Sequence, residues 1–390
     1  MDGTDFGEGP KGANQIRLRA HNERLILSLI QRQGPMPGMD LAKSTGLSAQ
    51  TVSNILRKLE ADGFLTKGEP QRGKIGKPSI PMVLNPDGAL SFGLKLGRRT
   101  SDLVVMNLYG QVLDQKQIKY RYPMPEEIFG FLRQGIESFT ADLSELQRER
   151  LCGIGISAPS EIWSWIDVLG APEDFTIWRE IDFQTEVAKF SDLPLFTEND
   201  ATAACRAEHA FGRGREFSNY AYFYVGSFVG GGVVMNRSVV DGEKRNAGAF
   251  GSLYVPGPEG GQVPLLDAAS LYLLEAALLA ADHNADDMWR IPQDWSGFGR
   301  ELDAWIVASA RALAHASRSA CAVIDFQTVL IDGAFPENVR QALVLRMREE
   351  LAQMDMRGLF TPRLEEAQIG GNARAIGAAS APIFSQFFLP

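Results

Sequence analysis

The sequence predicts two parts, a small helical head ending in a β-wing and a larger two-lobed α/β body. Three observations predict this. Apolar residues between positions 23 and 60 recur at helical spacing, broken by Gly-Pro and Gly turns. From about position 90 onward, strand-like runs alternate with helical ones, and polar loops follow the strand ends. Charge divides at the same place: residues 11–78 carry twelve Lys and Arg against five Asp and Glu, in a chain of formal net charge −9. A basic head on an acidic body suits a polyanionic partner for the head alone; a solvated helical surface is the plainer alternative.

Length and composition bound the rest. The chain has 390 residues, 45% hydrophobic and 22% charged, enough for two or three domains and a sizeable core. Its three cysteines, Cys152, Cys205 and Cys321, lack the short spacing of a zinc or redox motif, which suggests a reducing compartment. The first twelve residues contain no apolar leader, and the most apolar helical stretch, Leu271 to Ala281, is short and holds Glu275. The expectation is a cytoplasmic protein with no membrane contact. The expected boundaries are a disordered Gly- and Asp-rich tail over 1–12, a head over 13–85 and a body over 86–390, with Asn85-Pro86-Asp87-Gly88 as the joint.

In the head, Leu25, Ile26, Leu29 and Ile30 predict a first helix from about Glu23 to Arg32, stopped by Gly34-Pro35. A short second helix turns Leu41 and Ala42 inward, and Gly46 suits the left-handed position that ends it. Ser48 is a good N-cap for a third helix, on which Val52, Ile55, Leu56 and Leu59 form the buried stripe. Its other face shows Gln50, Thr51, Ser53, Asn54 and Arg57, polar groups suited to base edges and phosphates. Gly63 ends the helix. Strands begin at Phe64-Leu65 and cover Ser79 to Leu84, and between them lies Gln71-Arg72-Gly73-Lys74-Ile75-Gly76-Lys77-Pro78. Its glycines permit close approach and its cations neutralise phosphate, so Arg72, Lys74, Gly76 and Lys77 are candidate DNA contacts. Together these features describe a winged helix-turn-helix that binds DNA; a protein-docking winged helix is the alternative.

In the body, strand-like runs cover Phe92 to Leu96 and Leu103 to Leu108, joined at Gly97-Arg98-Arg99-Thr100, with Val112-Leu113 after the next turn. A helix follows over Ile128 to Leu146. Cys152 to Ser157 leads into Ala158-Pro159-Ser160, and Leu195 to Thr197 into Glu198-Asn199-Asp200-Ala201, which opens an Ala-rich helix. Tyr220 to Val225 precedes the glycine-rich run Gly226 to Gly232, and Val329 to Ile331 precedes Asp332-Gly333. Loops after strand ends are where α/β sheets bind ligands.

These pieces resemble the ROK family of repressors and sugar kinases, and specifically its repressor branch. The likeness rests on Leu41-Ala42, Gly46-Leu47-Ser48, Thr51-Val52-Ser53 and Gly76-Lys77-Pro78 in the head. In the body it rests on Ala158-Pro159-Ser160, Trp178, Glu198-Asn199-Asp200-Ala201, Gly226 to Gly232, and Ile369-Gly370 through Gly377-Ala378-Ala379. The resemblance implies an actin-like, ribonuclease-H-like body with a sugar site between two lobes, a homodimer, and Asp200 in the place of the kinases' catalytic aspartate. In a repressor the same carboxylate accepts sugar hydroxyls; capping the helix at Ala201 is the plainer alternative, and one residue can do both.

The sequence departs from the family in two places. Lys95 stands where family kinases carry an aspartate, and Arg98 and Arg99 fill a turn that is otherwise Gly-Gly-Thr. A lysine cannot help hold magnesium, so no kinase activity is expected. Ala249 and Ser252 replace the glutamate and histidine of the family's zinc segment, and Gly260 to Asp267 replaces its Cys-rich loop, so no zinc or other cofactor is expected. Ser160, Asn199, Asp200 and Asp267 remain as ligand candidates, Asp267 standing for a second sugar-binding glutamate. Trp163, Trp165 and Trp178 suit either sugar stacking or core packing. The reading is a cytoplasmic homodimeric repressor that binds double-stranded operator DNA under control of a sugar or sugar derivative. The alternatives are a DNA-binding dimer with a vestigial or partner-controlled body, and an active sugar kinase with a DNA-binding head.

Overall fold

The computed structural model describes residues 11–70, 79–165, 171–257, 260–290 and 292–389. Its first helix, α1 (Lys11–Gln33), is twelve residues longer at its start than the expected Glu23 to Arg32. Ala13, Gln15, Arg17, Leu18, Arg19 and Ala20 are good helix formers, and no proline interrupts them. Lys11 and Gly12 are therefore helical, while positions 1–10 of the expected tail lie outside the described residues.

The other head elements follow the sequence closely. Helix α2 (Gly38–Thr45) ends on Gly46 at φ 70°, and α3 (Ala49–Ala61) is capped by Ser48, whose side chain accepts from the Thr51 amide. Strands β1 (Leu65–Lys67) and β2 (Met82–Leu84) pair antiparallel. Ile26, Leu27, Ile30, Leu41, Val52, Ile55, Leu59, Leu65 and Leu84 close the core. Leu27 rather than Leu25 joins this core. Residues 71–78, with the candidate contacts Arg72, Lys74, Gly76 and Lys77, lie outside the described residues.

The body contains two sheets of one plan. In the first, β3 (Leu90–Leu96), β4 (Thr100–Asn107), β5 (Val112–Lys119), β6 (Leu151–Ala158) and β7 (Leu195–Asn199) are arranged β5-β4-β3-β6-β7. In the second, β8 (Tyr220–Val225), β9 (Val229–Met235), β10 (Ser238–Val240), β13 (Thr328–Gly333) and β14 (Arg363–Glu366) are arranged β10-β9-β8-β13-β14. Strands β11 (Tyr254–Pro256) and β12 (Gln262–Pro264) form a separate hairpin. In each large sheet the first three strands are antiparallel, and the last two run parallel to the first. Such a repeated plan gives the two-lobed, actin-like body the sequence suggested.

Helices cover both sheets. Those on the first lobe are α4 (Pro125–Asp142), α5 (Glu145–Glu149) and α6 (Phe183–Ala188). Helix α7 (Asp200–Phe211) follows β7; α8 (Leu266–Ala269), α9 (Leu271–Ala280), α10 (Gly299–Val323) and α11 (Glu337–Ala352) belong to the second lobe. The last helix, α12 (Ala373–Phe387), packs between the lobes, against α7 on one side and β3 and β6 on the other. Its run of Ala and Gly makes this approach possible. A Cβ at Gly377 would strike the Ala203 backbone, and one at Gly155 the Ala378 carbonyl.

Helices α7 and α12 both begin at the cleft between lobes and both end at the head. The Phe388 carbonyl, just past α12, accepts from Arg24 Nε at 2.9 Å and also from its terminal nitrogen. The Leu389 amide donates to Ser28 Oγ at 2.8 Å. Near the end of α7, Gln31 donates to the Ala210 carbonyl at 3.2 Å. Phe64 lies 4.9 Å from Phe387, with the Arg150 guanidinium 5.6 Å from the Phe64 ring. Asn85 ties the joint itself, donating to Gly63 O at 2.7 Å.

Candidate functional site

Two surfaces carry candidate chemistry. On the head, Gln50, Ser53, Asn54 and Arg57 are all exposed on one side of α3, and Thr51 is half-buried against Ser48. Asn54 Oδ1 accepts from Gln50 at 3.2 Å and from Arg57 at 2.7 Å. These are the i, i+4 and i, i+3 distances of one helix face, so three of the predicted residues form a connected polar row.

The second surface is the interlobe cleft, a cavity of about 770 Å³. It is lined from both lobes by Gly97 and Arg98, Ser160 to Ile162, Asn199 to Ala201, the β8–β9 turn, and Arg374. At its centre the predicted helix start has a different division of labour. Asn199, not Asp200, is the N-cap: its Oδ1 accepts from the Ala201 and Thr202 amides at 3.0 and 3.2 Å. Its Nδ2 donates to Ser160 Oγ at 3.0 Å. Asp200 is left with its carboxylate towards the cavity, where Arg374 Nη1 donates to it at 3.2 Å. The Arg374 guanidinium also lies 4.9 Å from the Tyr224 ring. Arg374, 174 residues from Asp200, was missed by sequence reasoning; only its place in the Ile369–Ala379 tail hinted at it.

Ser160, Asn199 and Asp200 are thus brought together, and Asp267 is not. Asp267 is exposed, outside the cavity lining, and its carboxylate accepts the Tyr272 hydroxyl at 2.8 Å. The neighbouring Leu266 lines the cavity instead. Side chains with one fewer methylene reach less far, and here Tyr272 captures this one. Trp178 is core: it is 3% exposed, packs on Phe129 and Phe183, and donates to Pro123 O at 2.7 Å. Glu173 and Asp174, just before Trp178, are exposed and outside the lining. Ala249 and Ser252, at the altered zinc segment, both line the cavity. Among the described residues, no group of three or more His, Cys, Asp and Glu is placed to hold a metal ion.

Beside the cleft, ion pairs hold the β3–β4 turn. Lys95 and Asp102 face each other in the β3–β4 register, and the ammonium donates to Asp102 Oδ2 at 2.9 Å. It also donates to Thr100 O at 2.9 Å and Thr100 Oγ1 at 2.8 Å, using all three of its protons. Burial pulls Lys95 below its ordinary value although Asp102 opposes this. Burial tends to raise Asp102, but the Lys95 charge and the bonds from Lys95 and Gln117 together hold it below the usual carboxylate range. Arg98 and Arg99 converge on Glu275, at 3.8 and 2.9 Å.

Known proteins locate this architecture. Residues 91–266 match the ROK family and residues 21–74 the MarR family. Protein y4fQ of Sinorhizobium fredii, itself uncharacterized, is 26% identical over 372 residues, 94% of this chain and 92% of that one. The xylose repressor of Bacillus subtilis is 24% identical over 243 residues, 62% of each chain. The crystal structure of a ROK family transcriptional regulator, a homolog of the Escherichia coli MLC protein, aligns over 95% of this chain and 97% of its own at TM-score 0.66 and 20% identity. ROK kinases share the body's fold as well. No helix among the described residues is long and apolar enough to cross a membrane. The chain thus carries a ROK family domain preceded by a MarR-type winged helix, the arrangement its repressor relatives support.

Proposed function

We propose that this chain is a DNA-binding transcriptional regulator, a repressor whose operator affinity is set by a sugar or sugar derivative bound in the interlobe cleft. The observation that carries the reading is the pair α7 and α12: each starts at cleft residues (Asp200, Arg374) and ends on the first helix of the head. A ligand that competes for Asp200 or Arg374 acts on the starts of both helices at once. A shift there is passed to the seat of α1, and it changes operator affinity by as much as the ligand prefers one arrangement over the other. The xylose repressor's name supports the ligand class.

In this reading the Gln50–Asn54–Arg57 row enters a major groove, with Thr51 and Ser53 beside it. The segment holding Arg72, Lys74, Gly76 and Lys77 contacts the flanking backbone. Two copies form a cytoplasmic homodimer on a near-palindromic operator. Ser160, Asn199 and Asp200 hydrogen-bond the sugar. The body is not a kinase, because Lys95 puts a fully bonded ammonium where a metal-holding carboxylate is needed. The altered zinc segment supports a body without metal. The displaced Asp267 favours one rival, a body that dimerises without an effector.

The test selects operator DNA from a random pool with the full chain, then titrates it in the presence of monosaccharides, sugar phosphates and polyols. Binding that weakens steeply with salt, fails in Arg57→Ala, and responds to one compound in wild type but not in Asp200→Asn is the expected result. Failure to select any sequence removes the DNA-binding reading. Selection without any ligand response moves the body to the effector-free rival, and sugar-dependent ATP turnover would restore the kinase.

A further inference from the structure

The charges lining the cleft do not cancel. Asp200 is taken by Arg374, so that pair is neutral. At the β3–β4 turn, two guanidiniums share one carboxylate, Glu275, which is only 7% exposed. Arg99 has the closer claim, with Nε at 2.9 Å, whereas Arg98 stands off at 3.8 Å. One positive charge is left over, and Arg98, the member in excess, lines the cavity.

Arg98 is also short of partners. Its Nε and Nη1 are buried with no hydrogen-bond acceptor. Its guanidinium lies 5.6 Å from the Phe228 ring and 5.9 Å from the Tyr272 ring, which offsets part of that cost and holds the group flat. A buried donor on a charged group that meets no acceptor keeps the full penalty of its lost hydration. The turn leaves little freedom to escape: at Gly97 even a Cβ would come within 2.7 Å of Lys95 Nζ and the Thr100 carbonyl. Burial pulls Arg98 below its ordinary value and Glu275 opposes this, yet a guanidinium stays charged at any physiological pH. Lys244 and Glu161, of opposite sign, also line the cavity, so the excess stays at one positive charge.

We propose that the cleft ligand is an anion, a phosphorylated or carboxylated sugar whose acidic group is read by the Arg98 guanidinium at the β3–β4 turn. The oxygens of such a group supply the acceptors that Arg98 lacks and neutralise the charge that Glu275 leaves. This deepens the effector reading of the cleft and rests on it only for the sugar portion. Glu275 then acts as an internal competitor: it holds the empty site together and yields Arg98 to the ligand.

The experiment measures melting-temperature shifts and calorimetric affinities of the full chain at constant ionic strength. The probes are inorganic phosphate, then pentoses and hexoses in neutral, phosphorylated and acid forms. Wild type should bind an anionic form at least about tenfold tighter than its neutral parent, the size of one charge-assisted bond. Arg98→Gln should erase that preference, Arg98→Lys should keep part of it, and Glu275→Gln should strengthen anion binding. Circular dichroism checks that each variant folds. Preference for phosphorylated over carboxylated forms, or the reverse, names the source of the anion. Neutral and anionic forms binding alike, in wild type and Arg98→Gln, overturn the inference and leave the effector reading standing. An Arg98-dependent phosphate shift with no response to any sugar leaves the anion site standing and removes the sugar. No shift with phosphate or any anionic form overturns the inference outright.

Discussion

Helices α7 and α12 lie side by side, and their two ends are held by opposite kinds of chemistry. At the cleft the contacts are charged, side chain to side chain, and open to a cavity: Asp200 with Arg374, and Asn199 with Ser160. At the head they go mostly to backbone carbonyls and aromatic rings: Arg24 to Phe388, Gln31 to Ala210, and Phe64 against Phe387. A ligand rich in hydroxyls or charge can replace the first set, because it offers the same kinds of bonds. It has nothing to offer the second. The helix pair is therefore soft at the end that meets a small molecule and fixed at the end that carries the head. Between the ends, Gly377 against Ala203 keeps the helices too close to slide independently.

The largest effect is expected at the soft end. Removing one member of a buried ion pair costs about 3–5 kcal/mol; the partial exposure of Asp200 puts Asp200→Ala near the lower limit. The charge of Arg374, 7% exposed, is then uncompensated. Asp200→Asn keeps a hydrogen-bond acceptor and should lose much less stability, while losing ligand response as fully. Urea unfolding of the two variants separates the roles. Equal stability losses would mean that the Asp200 charge, and not the hydrogen bond it accepts, holds the helix starts.

A second break is set by pH at the other end of α7. His209 Nδ1 lies 3.2 Å from the Tyr220 hydroxyl and Nε2 2.9 Å from the Arg237 carbonyl, an arrangement that fits a neutral ring donating from Nε2. Burial first, and then the nearby arginines Arg32, Arg206 and Arg215, bring its pKa down to about 4. The unfolded chain holds the extra proton from about pH 6.5 downward, and the folded chain takes it only near pH 4. Stability is therefore whole above pH 6.5 and falls through that window, by up to about 3 kcal/mol. The buried Glu208 titrates in the opposite sense, since burial and Asp332 raise its pKa. The measurement is thus the difference between wild type and His209→Gln across pH 4 to 7. A flat difference would remove His209 from the pH response of the head end.

Much of this was legible in sequence, and what was not has a common cause. Local signals worked where one segment decides: Gly46 and Ser48 fixed the ends of α2 and α3, Tyr220 to Val225 is β8, and Asn199-Asp200 lies at a strand-to-helix junction. The family likeness brought Asp200 to the cleft but carried Asp267 there too, and Tyr272 took that carboxylate away. Arg374 gave no local signal, because its role depends on a partner 174 residues distant. The Lys95 substitution was visible, yet only the β3–β4 register shows that Asp102 faces it. The early start of α1 was missed because the apolar stripe begins late, while helix propensity carries the chain back to Lys11.

Joining the two ends, Gly377→Ala should matter more than its single methyl suggests. In a solvated helix the change gains about 1 kcal/mol. Here the new Cβ meets the Ala203 backbone, which cannot rotate away, so overpacking of about 1–3 kcal/mol outweighs the gain. Both ligand binding and operator binding should weaken together in titrations of this variant. Loss of one alone would show that α7 and α12 do not act as a unit.

The smallest expected effect tests the fixed end most directly. Phe387 is half-buried, and its ring sits 4.9 Å from Phe64 at a tilted 44°. Pairs of this kind are worth about 0.5–1.5 kcal/mol beyond area burial, and losing the burial of a half-exposed ring adds about 1 kcal/mol, so Phe387→Ala should lower the melting temperature of a chain this size by only a few degrees. The cleft lies at the far end of α12, so ligand affinity should not change. What should change is the coupling: with Phe64 released, the head keeps its fold around Ile26, Leu41 and Leu59 but is held less firmly to α12. Operator titrations with and without ligand should then converge, as the bound and free states hold the head with more nearly equal freedom. If Phe387→Ala leaves the ratio of the two operator affinities at its wild-type value, the aromatic contact is packing alone, and the backbone bonds of Arg24 and Ser28 carry the signal.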